Sequence, residues 1–460
     1  MTNAVGEFIQ ALGKENVIQG NGLTDYYEHI WSMDRPLEVK CLLLPRNTEH
    51  VSAIMRICSA FEQNVVPFGG KTNLVGSTEC EENDVVISFE KMNKVLELDA
   101  ESRTISVEAG VILEQIQMES ERLELLFPLN FGAKGSAQIG GVISTNAGGM
   151  RVLRYGMTRN LVLGLEVVLP DGTVVNSMKK IIKDNSAYDV KQLFIGAEGT
   201  LGLITKAVLR LHEKPKSRVC AFVGINKYSD VVKFLKHMDK GLAGMLSAFE
   251  LIWRDSFEIM QSVDEVPKVL HLDYTYYVLV ESLGGDLDRD REHFESLLES
   301  ALKQAFIEDA VLANSSSENN AFFRIREDVH VLKQKCKFDQ HFDISLPIPS
   351  IGETIDAITF DLKNVNGVEE VFAFGHVADG NIHFMIGKEN SSKELKKEID
   401  HVVYAPLKKL GGSVSAEHGI GLHKKDYLNL CRTKQEIELM RMVKNRLDPK
   451  NLLNRGKVLS

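Results

Sequence analysis

Four titratable residues in the last fifth of the chain have the types and spacing to hold a cation and move a proton. His376 and His383 flank Asp379-Gly380 in "FAFGHVADGNIHFMI". Asp-Gly between apolar runs is a strong two-residue hairpin signal. A turn there pairs Ala378 with Asn381, Val377 with Ile382 and His376 with His383. On one straight strand, residues seven apart face opposite sides. Across the hairpin they share a face, with Cβ atoms roughly 4.5–5.5 Å apart. Two imidazoles at that distance can share one divalent cation. Glu417, in "GGSVSAEHGIG", offers an oxygen as third ligand, and His418 stands beside it. The glycines around them permit an irregular backbone that aims both inward. Two histidines and a carboxylate leave coordination positions open for a substrate. The residues alone leave a second reading open, a cross-strand histidine pair with ordinary hydrogen bonds and no metal. His423, beside Lys424 and Lys425, reads as a surface residue.

A second stretch, "VVPFGGKTNLVGS" from Val65 to Ser77, ends in the Gly-Lys-Thr of an ATP-binding loop. That motif requires a glycine where Val65 stands, so the triphosphate reading fails. What remains is a strand followed by a glycine turn, whose successive N–H groups can form an anion-binding nest, or an ordinary tight connection.

The wider chain narrows the function classes. Its 460 residues suggest about two to four domains. A net charge of −10, with no dense Lys/Arg stripe, argues against nucleic acid as a partner. Six cysteines without a C-x-x-C pair predict a reducing compartment and no cysteine-held metal. The opening residues lack the basic and apolar regions of a signal peptide, and no apolar run approaches the roughly 20 residues of a membrane span. The expected location is the cytoplasm, with peripheral attachment to an inner membrane as a variant.

The elements that must position these residues follow from periodicity and turn signals. Residues 1–35 read as short helices. From Val39 the pattern is strand, helix, strand, with a helix over Thr48–Gln63 capped by Asn47 or Thr48. The run "FPLNFGAKGSAQIGGVISTNAGG" carries too much glycine for a regular helix. "LGLEVVLPDGTVV" reads as a hairpin turning at Asp171-Gly172. After Lys214-Pro215 the strands alternate with helices over 230–240, 288–306 and 351–362, the pattern of an α+β domain with a largely antiparallel sheet. A last helix stops at Asp448-Pro449.

Six blocks, in order, carry a family likeness: "PFGGKTNLVG", "FGAKGSAQIGGVISTNAGGMRVLRYG", "KDNSAYDVKQLFIGAEGTLGLIT", "FGHVADGNIHFMI", "SAEHGIG" and "DPKNLLNRGK". Together they resemble the FAD-dependent D-2-hydroxyacid dehydrogenases of the vanillyl-alcohol-oxidase type, over roughly residues 36–460. Within that family the likeness is greatest to the D-2-hydroxyglutarate dehydrogenase branch, with D-lactate dehydrogenases and a glycolate oxidase subunit as relatives. The resemblance implies an α+β protein. Residues 36–213 would form a PCMH-type FAD-binding domain of two α/β subdomains, after the N-terminal helical segment 1–35. Residues 214–425 would form a substrate or cap domain with a large antiparallel sheet flanked by helices. Residues 426–460 would return to pack on the FAD domain.

The resemblance also implies roles. The FAD pyrophosphate would lie on Pro67, Gly69, Gly70, Lys71, Thr72, Asn73, Leu74, Gly76 and Ser77, with the Lys71 side chain in solvent. Pro128, Gly132, Ala133, Ser136, Gly140, Gly141, Thr145, Asn146, Gly149, Arg151, Tyr155 and Gly156 would line the flavin and ribityl chain. Glu198, Gly199, Gly202 and Ile204 would meet the adenosine side, and Asn454 the flavin ring. No histidine or cysteine lies in the two glycine blocks, so FAD would be held non-covalently. His376, His383 and Glu417 match metal ligands, with zinc the expected ion. His418 matches the catalytic base and Arg326 the catalytic arginine that grips the substrate carboxylate. His330 and His341 stand at substrate positions where the hydroxyglutarate branch has Thr and Lys. Met385 replaces an Asn, and Arg455 a Pro. These departures set D-lactate-like acids beside D-2-hydroxyglutarate as expected substrates. Electrons would pass to an electron-transfer flavoprotein, a cytochrome or a quinone, and the assembly would be a homodimer. Alternatives are a glycolate oxidase-type subunit, an oxygen-using oxidase, and a non-catalytic flavoprotein subunit.

Overall fold

The computed structural model describes residues 3–31, 33–263 and 267–459. Its first sheet holds β1 (Val17–Ile18), β2 (Cys41–Leu43), β3 (Val65–Phe68) and β4 (Val85–Ser88) in the order β1-β2-β4-β3. β2 and β3 both run parallel to β4. Parallel strands need a crossover, and the helix Thr48–Phe61 supplies it, with the Asn47 side chain accepting the His50 N–H at 2.8 Å. Pro67 is tolerated in β3 because β3 lies at the sheet edge.

A second sheet, all antiparallel, takes β5 (Val95–Asp99), β6 (Thr104–Glu108), β8 (Val162–Val168), β9 (Val174–Ser177) and β10 (Leu203–Arg210) in the order β5-β6-β10-β8-β9. β7 (Leu125–Leu126) and β11 (His212–Glu213) form a short ribbon. One apolar core joins both larger sheets, and Phe8 and Leu12 of the N-terminal helix Ala4–Leu12 are part of it.

The larger sheet is antiparallel throughout: β12 (Ser217–Ile225), β13 (Leu246–Trp253), β14 (Tyr276–Gly284), β15 (Asp309–Leu312), β16 (Phe338–Ser345), β17 (Val368–Gly375) and β18 (Asn381–Lys388), in the order β15-β12-β14-β13-β17-β18-β16. Both faces of its central strands are buried, so β12, β13 and β14 read as near-continuous apolar runs. In β12, Val219, Ala221 and Val223 enter one core while Cys220 and Phe222 enter another. The helices Tyr228–Leu242, Leu287–Lys303 and Ile351–Lys363 cover the first face, as their periodicity predicts. The helix Ser316–Glu327 covers the second face, together with Met150 from the glycine-rich region.

The chain's last segment returns to the first sheet. Helix Lys434–Leu447 starts on a Thr433/Glu436 capping box. Beyond it, the Val65 N–H donates to the Leu452 carbonyl at 2.8 Å and the Asn454 N–H to the Val65 carbonyl at 2.9 Å. Among the described residues no helix is long and apolar enough to cross a membrane.

Candidate active site

The histidine hairpin forms, in a different register. Phe374, not His376, lies opposite His383, and the loop runs through a 3-10 turn at Val377–Asp379. The Asp379 N–H and the Asn381 N–H both donate to the His376 carbonyl, so the connection is longer than the two-residue turn that Asp-Gly predicts. The shift amounts to two residues, which preserves the face of every side chain. His376 therefore stays on the side of His383, and their ring centroids are 5.2 Å apart.

Glu417 completes the cluster from an irregular turn. Its Oε1 lies 3.6 Å from His376 Nε2. The donor atoms of His376, His383 and Glu417 all fall within 4.8 Å of one another. Asp343, His383 and His418 meet the same criterion. The two sets differ in what their oxygens already do. Asp343 Oδ2 accepts the Glu417 N–H at 3.0 Å, the His418 N–H at 2.8 Å and the Ser415 hydroxyl at 3.1 Å, and Oδ1 accepts the Asn381 amide at 2.9 Å. Among the described residues no hydrogen bond is made to the Glu417 carboxylate, whose ion-pair neighbour is the His376 ring at 3.6 Å. Two imidazoles and an uncommitted carboxylate fit a divalent cation.

Asp343 was not foreseen. It lies opposite His383 and two residues past His341 on β16, so it shares their face. That spacing was the available signal. Glu250 was missed as well. It is fully buried on β13 and accepts from His376 Nδ1 at 2.7 Å and from Arg326 Nε at 2.8 Å. A lone acid inside the apolar run "LSAFELIW" was its signal, since buried charge persists only when paired.

The electrostatics follow from burial and these pairs. Burial works against charge on His376, yet the Glu250 and Glu417 carboxylates outweigh it and hold the imidazole up at about 9. Burial pushes Glu417 up to about 7. It pushes His418 down to about 4, against the pull of Asp343.

Arg326, on the helix Ser316–Glu327, is buried with its guanidinium 4.8 Å from the Phe374 ring centroid. Glu250 holds its Nε, while Nη2 has no partner. His330 and His341 also line this region. His341 is tied to Asp339 at 2.6 Å. His423 is half-exposed and paired with Glu79 at 2.7 Å. Its neighbour Lys424 is buried, 3.7 Å from Asp343.

One cavity of about 890 Å³ runs from the two glycine loops to this cluster. Pro67, Gly69 to Leu74, Ser77, Gly132, Ala133, Ser136, Gly140, Gly141, Thr145 and Gly149 line it, as do Glu198, Gly199, Gly202, Ile204 and Asn454. The loops meet backbone to backbone: a Cβ on Gly70 would lie 2.1 Å from the Ser136 carbonyl oxygen. At the other end, a Cβ on Gly148 would lie 2.8 Å from Glu417 Oε1, so the loop reaches the histidine cluster itself. A cavity lined by two glycine loops and ending at a polar cluster fits a dinucleotide cofactor.

Six expected cofactor contacts lie outside the lining. Arg151 turns away to pair with buried Glu281 at 3.3 Å. Tyr155 packs edge-on against His212, 4.8 Å between centroids, and Gly156 ends the short helix Val152–Tyr155 at φ 78°. Asn146 uses its side-chain oxygen to hold the Arg159 N–H. Gly76 abuts Glu79 and His423. Pro128 is buried. Lys71 also departs from expectation: its ammonium sits 3.7 Å from the Tyr27 ring centroid rather than in solvent. Glu198 lines the cavity, but its carboxylate accepts the Ile420 and Gly421 N–H groups at 2.7 and 2.9 Å, which ties the two domains.

Comparisons with known proteins agree on the class. The model described as FAD binding domain matches residues 39–177, and FAD linked oxidases, C-terminal domain, matches 214–458. The fold is shared with 4-ethylphenol oxidase from Gulosibacter chungangensis, at TM-score 0.77 and 17% identity, covering 99% of this chain and 96% of that one. It is also shared with p-cresol methylhydroxylase, at TM-score 0.76 and 15% identity with the same coverage of both chains. Fold and site together define a two-domain FAD-linked oxidoreductase with a PCMH-type flavin domain. D-2-hydroxyglutarate dehydrogenase, mitochondrial, of Arabidopsis thaliana is 36% identical over 457 residues, spanning 99% of this chain and 81% of that protein. D-2-hydroxyglutarate–pyruvate transhydrogenase of Saccharomyces cerevisiae is 35% identical over 421 residues, 90% of this chain and 85% of that protein. The chain belongs to the FAD-linked oxidase family, among its FAD-dependent D-2-hydroxyacid dehydrogenases.

Proposed function

We propose that this enzyme oxidises the C2 hydroxyl of a D-2-hydroxyacid to the 2-oxoacid, with a metal-dependent site and His418 as base. The observation that carries the reading is the single cavity joining the glycine-loop cradle to the His376/His383/Glu417 cluster and the unpartnered Nη2 of Arg326. When bound, FAD supplies the two-electron redox chemistry, and a divalent cation held by His376, His383 and Glu417, with zinc the ion proposed from this donor set, supplies Lewis acidity.

The chain's own residues do the rest. Arg326 binds the substrate carboxylate through its free Nη2, a charge-assisted contact whose direction Glu250 sets by holding Nε. His418 accepts the C2 hydroxyl proton on its imidazole. Its backbone N–H is anchored on Asp343, so the ring is carried by a fixed turn. The two loops and Phe374 exclude water from the reacting carbon. The relatives' names favour D-2-hydroxyglutarate. His341, already held by Asp339, and the apolar Met385 favour a shorter acid such as D-lactate. A carrier protein or quinone is the proposed electron acceptor. Six free cysteines support a reducing compartment, and we place the enzyme in the cytoplasm; the word mitochondrial belongs to the relatives' names.

Anaerobic flavin bleaching tests this reading. The FAD-loaded enzyme is mixed with D-lactate, D-2-hydroxyglutarate, D-malate or glycolate, with and without chelator. Bleaching by a D-2-hydroxyacid, abolished by chelator and reversed only slowly by air, is the expected result. A flavin that stays oxidised with every D-hydroxyacid overturns the proposal, and fast reoxidation by air makes the enzyme an oxidase.

A further inference from the structure

A second cavity, of about 290 Å³, shares no lining residue with the large one. It lies where β10 runs on into β11, beside the short helix Val152–Tyr155. Arg103, Arg154 and Arg210 line it, with His212, Tyr155 and Glu213. Three guanidinium groups around one small cavity repel each other unless an anion stands among them.

The protein supplies little of that anion. Glu213 is the one carboxylate in the lining. It is 3.6 Å from Arg103, and both side chains are more than half exposed, which makes it a weak counter-ion. Arg154 is committed to backbone carbonyls, at Leu283 and Met245, which orient it without neutralising it. Arg210 has no ion-pair or hydrogen-bond partner for its side chain among the described residues. In the same lining, His212 Nε2 is buried without a partner. Burial and the three arginines push the His212 imidazole down to about 4, a sign of how much positive charge is gathered around this cavity.

We infer that this cavity is a binding site for a small anion carrying at least two negative charges, a phosphate-bearing or dicarboxylate metabolite, gripped by Arg103, Arg154 and Arg210. Guanidinium forks match both classes of oxyanion. The size suits a compact ligand, being at the lower end of small-molecule pockets. Arg154 also links the site to the rest of the molecule. It lies four residues after Met150, which lines the large cavity, and its bonds to Met245 and Leu283 reach the larger sheet.

The test is calorimetric titration of the FAD-loaded enzyme with inorganic phosphate, with succinate, and with acetate as a singly charged control at matched ionic strength. Saturable binding of phosphate or succinate, but not of acetate, is expected, and which of the two binds names the ligand class. The double variant Arg103→Gln/Arg210→Gln is expected to weaken binding at least about tenfold. Its flavin absorbance and substrate-dependent bleaching stay at the wild-type level. Should the double variant not fold, Arg103→Gln alone, at an exposed side chain, is read instead. Signals no larger than those of acetate, or binding unchanged in the arginine variant, overturn the inference.

Discussion

Both nitrogens of His376 are engaged, Nδ1 by Glu250 and Nε2 toward Glu417. His418 is anchored by its backbone instead, so its ring can take a proton without loosening the cluster. The two histidines should therefore fail differently. His376→Ala should lose bound metal and turnover while the protein stays yellow. His418→Asn should keep metal and flavin, and its turnover should fall about 10²–10⁴-fold. Metal analysis, flavin absorbance and kcat on the same preparations separate them, and loss of flavin from His376→Ala would show that the cluster is architectural. The four titratable residues were legible because each sits in a short motif with a turn or glycines around it. Glu250 and Asp343 carry only a weaker signal, an acid inside an apolar run and an acid two residues past a histidine, and because their partners lie on other strands the local sequence does not name them.

At the scale of elements, the hairpin shows what periodicity can and cannot give. Asp379-Gly380 marks a turn, and the turn is there, but the loop length that sets register depends on the His376 carbonyl receiving two N–H groups. The face survived the error because the shift was even; an odd shift would have sent one histidine to the opposite core. The glycine loops carry a sharper test. Gly70→Ala puts a methyl group into the Ser136 carbonyl, so the two loops must separate. Weakened FAD retention is expected, with a stability loss of about 1–3 kcal/mol. Gel filtration followed by flavin-to-protein absorbance measures the first and denaturant melting the second. Arg151, Tyr155 and Gly156 follow the glycine block in sequence but not in space, since the short helix Val152–Tyr155 carries them toward the larger sheet. Proximity in sequence could not reveal that turn.

For the whole molecule, the decisive contacts are those between domains. Glu281, fully buried in the larger sheet, accepts from Arg151 of the flavin domain and from Arg218 at 2.7 Å. Burial alone would raise its carboxyl pKa; the two arginines outweigh that and hold it below the ordinary value. Its stabilisation is therefore complete above an unfolded-state pKa of about 4.3 and is lost as pH falls through the lower folded value. Glu281→Ala leaves two cations unpaired and should cost about 3–5 kcal/mol at neutral pH. Denaturant melts at pH 7 should show the full loss, and the gap to wild type should narrow in acid. An equal gap at every pH would show that packing, not charge, is what Glu281 supplies.

The pairing of Val65 with Leu453 has a consequence during synthesis. Among the described residues, the strand that leads into the first flavin loop gains its outer neighbour from residues 452–454, beyond the whole substrate domain. A ribosome must translate the whole substrate domain before the flavin domain can be closed. The nascent flavin domain therefore waits with one edge of its parallel sheet unpaired, exposed to chaperones and to copies of itself. Synthesis of residues 452–454, rather than emergence of the first domain, is the step that lets this sheet edge be paired.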